Sequence, residues 1–126
     1  MPIEILVIDD EQIVGERLKA SLEKDGYALE TYTDPVTALD RIKEKVFDVV
    51  VTDIRMDNLD GIKVLEEVRK MSHRTKVIII TGYATLEIAR EALTKGAFDF
   101  IAKPFKLKEI RQAIQKADEA LQMEST

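Results

Sequence analysis

Residues 5–12 read ILVIDDEQ: four apolar residues in succession, then two aspartates and a glutamate. An unbroken apolar run has no solvent-facing side, which is what a strand of a parallel sheet needs when helices cover both of its faces. The runs VVV (Val49 to Val51) and VIII (Val77 to Ile80) have the same character. Five segments rich in such residues recur, Ile3–Ile8, Ala28–Tyr32, Asp48–Thr52, Lys76–Ile80 and Phe98–Ala102, and strand is the expected conformation of each. ALETY (Ala28 to Tyr32) alternates instead and reads as an edge strand.

Between these runs the apolar residues fall at helical spacing: Val14, Leu18 and Leu22; Leu39, Ile42 and Val46; Leu107, Ile110, Ile114, Ala117 and Leu121. Asp34-Pro35 has the form of an N-cap followed by proline in the first helical position, and Gly26 and Gly96 stand where helices should end. The pattern is β-α repeated five times, a single α/β domain over residues 1–121 with a polar tail or linker start, QMEST, at 122–126.

A chain of 126 residues with 45% hydrophobic and 34% charged residues can bury a core of its own. A net charge of -5 disfavours direct nucleic-acid binding, which needs clustered Lys and Arg. The absence of cysteine excludes disulfides and thiolate chemistry, and no apolar run approaches a membrane span, so a cytoplasmic location is expected. Lys106, Lys108 and Arg111 read as a solvated helix face, and the single histidine, His73, as an exposed connection residue.

In an open parallel sheet, ligands bind beyond the carboxyl ends of the strands where strand order reverses. The polar residues obey that rule. The first strand runs into Asp9 and Asp10, the third into Asp53, the fourth into Thr81-Gly82 and the fifth into Lys103-Pro104, whereas the starting ends carry nothing comparable. Singly, each could cap a helix or shape a turn; together they make a compact polar site. Two carboxylates about 4 Å apart repel by roughly 4 kcal/mol at an effective dielectric of 20. Three can stay ionised only with a cation among them, and all-oxygen ligands suit Mg²⁺ or Mn²⁺. Carboxylate, cation, lysine and hydroxyl are also what phosphoryl transfer to an aspartate requires, and Asp53, alone at its strand end, is the candidate nucleophile.

The stretches VIDDE, VVTDIRMDNLDG, IIITGYA and GAFDFIAKPF resemble the receiver domain of bacterial two-component response regulators, in order and over about Ile3 to Leu121. The resemblance implies a flavodoxin-like (βα)5 three-layer sandwich with a parallel sheet of order 2-1-3-4-5. It implies that Asp53 takes a phosphoryl group from a histidine kinase. Mg²⁺ (or Mn²⁺) would be held by Asp10, Asp53, the Arg55 carbonyl and, through water, Asp9. Lys103 and Thr81 would contact the phosphoryl oxygens, with the backbone at Gly82 and Arg55. Thr81 and Phe100 would form the switch, and Lys103-Pro104 a cis peptide.

The face made by the fourth helix, fifth strand and fifth helix would then change its affinity for an output domain, a target protein or a second copy. TGYA and GAFDFIAKPF lean toward the regulatory domain of a transcription regulator, with a stand-alone receiver as the alternative. Asp57 and Asn58 depart from the Pro-Gly many relatives carry in the phosphoacceptor loop, and Arg55 and Tyr83 are placed to tune phosphoryl lifetime. No enzymatic turnover beyond self-phosphorylation and autodephosphorylation is implied. An aspartyl-nucleophile phosphatase expects a second Asp two residues after the nucleophile, where Arg55 stands. A flavin carrier needs a phosphate-welcoming first loop, which DDEQ is not, and a Rossmann dehydrogenase lacks its glycine fingerprint here.

Overall fold

The computed structural model describes residues 3–54, 60–82 and 84–125. Arg55, Asp57, Asn58 and Tyr83, named above, lie outside them. The elements alternate as β1 (Glu4–Ile8), α1 (Gln12–Lys24), β2 (Ala28–Tyr32), α2 (Pro35–Glu44), β3 (Val49–Asp53), α3 (Gly61–Met71), β4 (Lys76–Thr81), α4 (Leu86–Thr94), β5 (Asp99–Ala102) and α5 (Leu107–Glu124). All strand pairs are parallel and the sheet order is β2-β1-β3-β4-β5, so strand order reverses between β1 and β3. The alternating ALETY is indeed an edge.

Because successive strand residues point to opposite faces, the apolar runs divide into two cores. Ile5, Val7, Val49, Val51, Ile78 and Ile80 pack with Leu18 and Leu22 of α1 and Ile110, Ile114 and Leu121 of α5. Leu6, Ile8, Val50, Val77 and Ile79 pack with Ala38 and Ile42 of α2, Ile62 and Leu65 of α3 and Ala92 of α4. Each fully buried Ile or Val contributes about 1.5–3 kcal/mol by transfer from water, which is why the central strands have no polar side.

The punctuation acts as read. Asp34 accepts from the Val36 amide at 3.1 Å with Pro35 opening α2, and Gly26 (φ 93°) and Gly96 (φ 102°) close α1 and α4 in the left-handed region. The Leu39, Ile42, Val46 stripe is corrected. α2 stops at Glu44, Lys45 is extended, and Val46 is 58% exposed, while Ala38 takes the buried place beside Ile42. β3 and β4 each run one residue further than expected, to Asp53 and Thr81. α5 also continues past Leu121 to Glu124, where the Ser125 hydroxyl donates to the Leu121 carbonyl at 3.0 Å. No described helix is long and apolar enough to cross a membrane.

The expectation that the starting ends of the strands carry nothing comparable needs revision too. That end holds charge, but in matched pairs: Lys45 with Glu4, Arg74 with Asp48 at 3.0 Å, and Lys76 with Glu124. α4 is the most lightly seated helix, with Ala92 buried and Leu86 and Leu93 exposed.

Candidate functional site

Val7, Val51 and Ile101 are the last core residues of β1, β3 and β5 on the α1–α5 face. The side chains two positions further on are Asp9, Asp53 and Lys103, so the period of two that builds the core also delivers three charged groups to one face at the strand ends. Asp9 and Asp53 are 1% and 6% exposed, Asp10 is exposed, and one carboxylate oxygen from each of the three lies within 4.8 Å of the others. This is the reversal point of strand order, where the fold leaves a crevice.

Lys103 is the cation that faces them. Its Nζ donates to Asp53 Oδ2 at 2.8 Å and stands 2.8 Å from Asp9 Oδ2 and 3.4 Å from Glu11 Oε1. The main chain fixes the acids in turn, since the Asp9 amide donates to the Tyr32 carbonyl at 3.0 Å and the Glu11 amide to Asp9 Oδ1 at 2.8 Å. Burial pushes the Asp9 carboxyl above its usual range, against the opposing pull of Lys103 and the Glu11 amide. Burial alone would lower the Lys103 ammonium, but its bonds to Asp53 and Asp9 outweigh that and hold it well above its ordinary range. Lys103 therefore stays charged throughout the physiological range.

The fourth and fifth strands complete the site. Thr81 is fully buried at the end of β4, and its carbonyl accepts from the Lys103 amide at 2.8 Å. The Lys103-Pro104 peptide is cis, as the resemblance implied. Gly82, Lys103, Pro104 and Glu11 line a groove between α1 and α5 that opens beside the carboxylates. Phe100 is half-buried and packs on the opposite face, against the core beneath α2 to α4, so it is not part of the carboxylate cluster. The site roles given above to Arg55 fall outside the described residues.

Three residues gained importance only in three dimensions. Glu11 is a further acid on Lys103, and Arg111, read as a solvated residue, forms a two-pronged pair with Asp25 at 2.8 Å across the α1–α5 groove. Gly61 is the third: a Cβ there would come within 2.9 Å of the Asp53 carbonyl carbon and of Ile54 Cα, and closer still to the Asp53 carbonyl oxygen. A Cβ at Gly82, by contrast, would meet nothing within 4 Å. The Asp60-Gly61 dipeptide was the available signal for Gly61, but close backbone approach cannot be distinguished from an ordinary helix start in sequence.

An all-oxygen donor set with two buried carboxylates and one shared ammonium fits a hard divalent cation better than any softer metal. Fold and cluster together define a doubly wound α/β domain with an acid-tipped switch point. The chain matches the response regulator receiver domain family over residues 5–115 and belongs to that family. It is 42% identical over 121 residues to the regulatory protein AtoC of Escherichia coli (strain K12), a match covering 96% of this chain but 26% of AtoC. The structure superimposes with TM-score 0.94 and 28% identity on the CheY-like receiver domain protein of Methanospirillum hungatei JF-1, covering 98% and 99% of the two chains. It superimposes with TM-score 0.88 and 35% identity on the beryllofluoride-activated NtrC4 receiver domain dimer, covering 94% and 98%.

Proposed function

We propose that the chain is the phosphoacceptor receiver of a two-component response regulator, with Asp53 as the residue phosphorylated by a partner histidine kinase. The observation that carries this reading is the sharing of Lys103 between Asp53 and Asp9, each at 2.8 Å, with both acids buried. The Asp53 carboxylate oxygen attacks the phosphorus of a phosphohistidine in line. The P–O bond forms as the P–N bond breaks, and the bonding pair stays on the imidazole nitrogen. Lys103 is placed to hold the transferred equatorial oxygens, with the Thr81 hydroxyl and the main chain at Gly82 and Arg55 as further donors.

Asp10, Asp53, the Arg55 carbonyl and, through water, Asp9 would hold Mg²⁺ (or Mn²⁺), which would supply positive charge to those same oxygens. Loss of the bare Asp53 charge then changes what Thr81 faces. Thr81 ends β4 opposite Ala102, and Phe100 lies two rungs back in β5 opposite Ile79, so a shift at one would be passed to the other through the β4–β5 ladder.

The surface that would read this change is α4, β5 and α5, where Leu86, Leu93 and Leu107 are exposed. Its partner is an output domain, a target protein or a second copy of the chain. The chain spans 26% of the length of AtoC, and the favoured context for it is a longer regulator that carries an output domain and acts on transcription in the cytoplasm. In that context residues 1–121 are the receiver unit and 122–126 lead away from it. Hydrolysis of its own phosphoryl group is the sole turnover expected, with Arg55 and Tyr83 tuning its rate.

Intact mass after incubation with acetyl phosphate and Mg²⁺ tests the reading. One added phosphoryl group is expected, absent without Mg²⁺ and absent in Asp53→Asn. An adduct that survives the Asp53→Asn substitution, or a folded wild-type protein that takes up neither phosphoryl nor beryllofluoride, contradicts it.

A further inference from the structure

Asp53 projects its side chain toward α1 and α5, yet what fixes its main chain comes from the other face of the sheet. Thr52, its neighbour in β3, is fully buried on the α3 side, and its hydroxyl donates to the Asp53 carbonyl at 3.0 Å. Gly61 opens α3 on that same side. Its amide donates to the Ile54 carbonyl at 2.8 Å, and the Asp53 peptide fills the space a side chain would need. Asp60 secures the helix end by accepting from the Lys63 amide at 2.9 Å. Neither contact follows from helix or strand formation. An alanine is about 1 kcal/mol better than glycine inside a helix, and a valine would fill the place of Thr52 without an unpaired hydroxyl to satisfy.

We propose that Thr52 and Gly61 are positioning residues for phosphoryl transfer: they grip the Asp53 main chain from the α3 face and so aim its carboxylate at Lys103. In-line attack tolerates little misplacement, and an error near 1 Å can cost on the order of a hundredfold in rate. A β-carbon at Gly61 must push the Asp53 peptide or tilt α3. Loss of the Thr52 hydroxyl removes a hydrogen bond from the Asp53 carbonyl. This inference rests on the proposed phosphoacceptor role of Asp53.

The test is the rate of phosphorylation by acetyl phosphate at saturating Mg²⁺, resolved into the limiting rate constant and the half-saturating donor concentration, for folded variants below their melting transitions. Gly61→Ala should lower the limiting rate at least tenfold and Thr52→Val roughly threefold to tenfold, with half-saturation within about twofold of wild type. Thr52→Ser, which keeps the hydroxyl, should restore the wild-type rate. Gly26→Ala, strained by its positive φ but remote from the site, should lose stability and keep its rate.

Wild-type rates in both Thr52→Val and Gly61→Ala overturn the proposal, as does a Thr52→Ser rate as low as that of Thr52→Val. Amide hydrogen exchange supplies a reading that needs no phosphorylation, and it decides the matter if Gly61→Ala does not fold. The Gly61 amide should be protected as strongly as those of β3, and loop-like exchange there overturns the clamp. A wild-type protein that takes up no phosphoryl group refutes the phosphoacceptor reading itself, a result distinct from any of these.

Discussion

The two ends of the sheet handle charge in opposite ways. At the amino ends of the strands, acids and bases are matched one to one, Glu4 with Lys45, Asp48 with Arg74 and Glu124 with Lys76. At the carboxyl ends, among the described residues, Asp9, Glu11 and Asp53 share the ammonium of Lys103, and Asp10 stands beside them. The matched pairs lie near the surface and ask for nothing more. The unmatched cluster includes two buried carboxylates, which cost free energy until further positive charge arrives. Net imbalance, rather than the number of charged residues, separates the functional end from the structural one.

The largest expected effect comes from removing the shared cation. Lys103→Ala leaves Asp9 and Asp53 buried and facing each other, and should cost about 3 kcal/mol of stability in the absence of Mg²⁺. Added Mg²⁺ should restore much of that loss, as chemical denaturation with and without the ion would show, while phosphorylation remains severely impaired.

Asp9→Asn changes the balance in the other direction. The raised Asp9 pKa means that the folded state favours the protonated carboxyl, so this group's contribution is present below the ordinary carboxylate range and is lost as pH rises through the folded value. The variant should therefore gain stability relative to wild type between acid and neutral pH. Its Mg²⁺ affinity should fall by about tenfold, a loss of about 1.4 kcal/mol in binding. A variant that loses stability at neutral pH without metal would show that Lys103 fully compensates the Asp9 charge.

Charge removal at the matched end should do little. Arg74→Ala breaks a half-exposed pair and should change stability by less than about 1 kcal/mol, with phosphorylation unaltered.

The smallest effect is expected on the β2 edge, where Glu30 accepts from Arg41 through both oxygens, at 2.8 and 2.9 Å, and from the Tyr32 hydroxyl at 2.8 Å. The Arg41 bonds, with help from Tyr32, hold the Glu30 carboxyl down to about 2. Its contribution is thus present above the ordinary glutamate value of 4.5 and lost as pH falls toward 2. Glu30→Gln should melt slightly earlier than wild type at pH 7, and the gap should close through that acid window.

Much of this arrangement could be read from the chain. The four-residue run Ile5 to Ile8 and its counterparts in β3 and β4 announce two-faced burial, and strand alternation then carries Asp9, Asp53 and Lys103 to one place. Periodicity misled at Val46, because it records which residues are apolar but not that Lys45 turns extended and ends the helix. The amino-end pairs were invisible for a different reason. Arg74 and Asp48 are 26 residues apart, and a pair's existence depends on which strands become neighbours. Gly61 was illegible on the same ground, since the backbone it must admit belongs to β3.

The most direct test of the central claim is thermal melting as a function of Mg²⁺ at constant ionic strength, for the wild type and an Asp9→Asn/Asp53→Asn double variant. A cation that binds only the folded cluster raises stability by RT ln(1 + [Mg²⁺]/Kd). The wild-type midpoint should therefore climb steadily with the logarithm of concentration above Kd, while that of the double variant stays flat. A wild-type midpoint indifferent to Mg²⁺, or a double variant that climbs equally, would contradict the account.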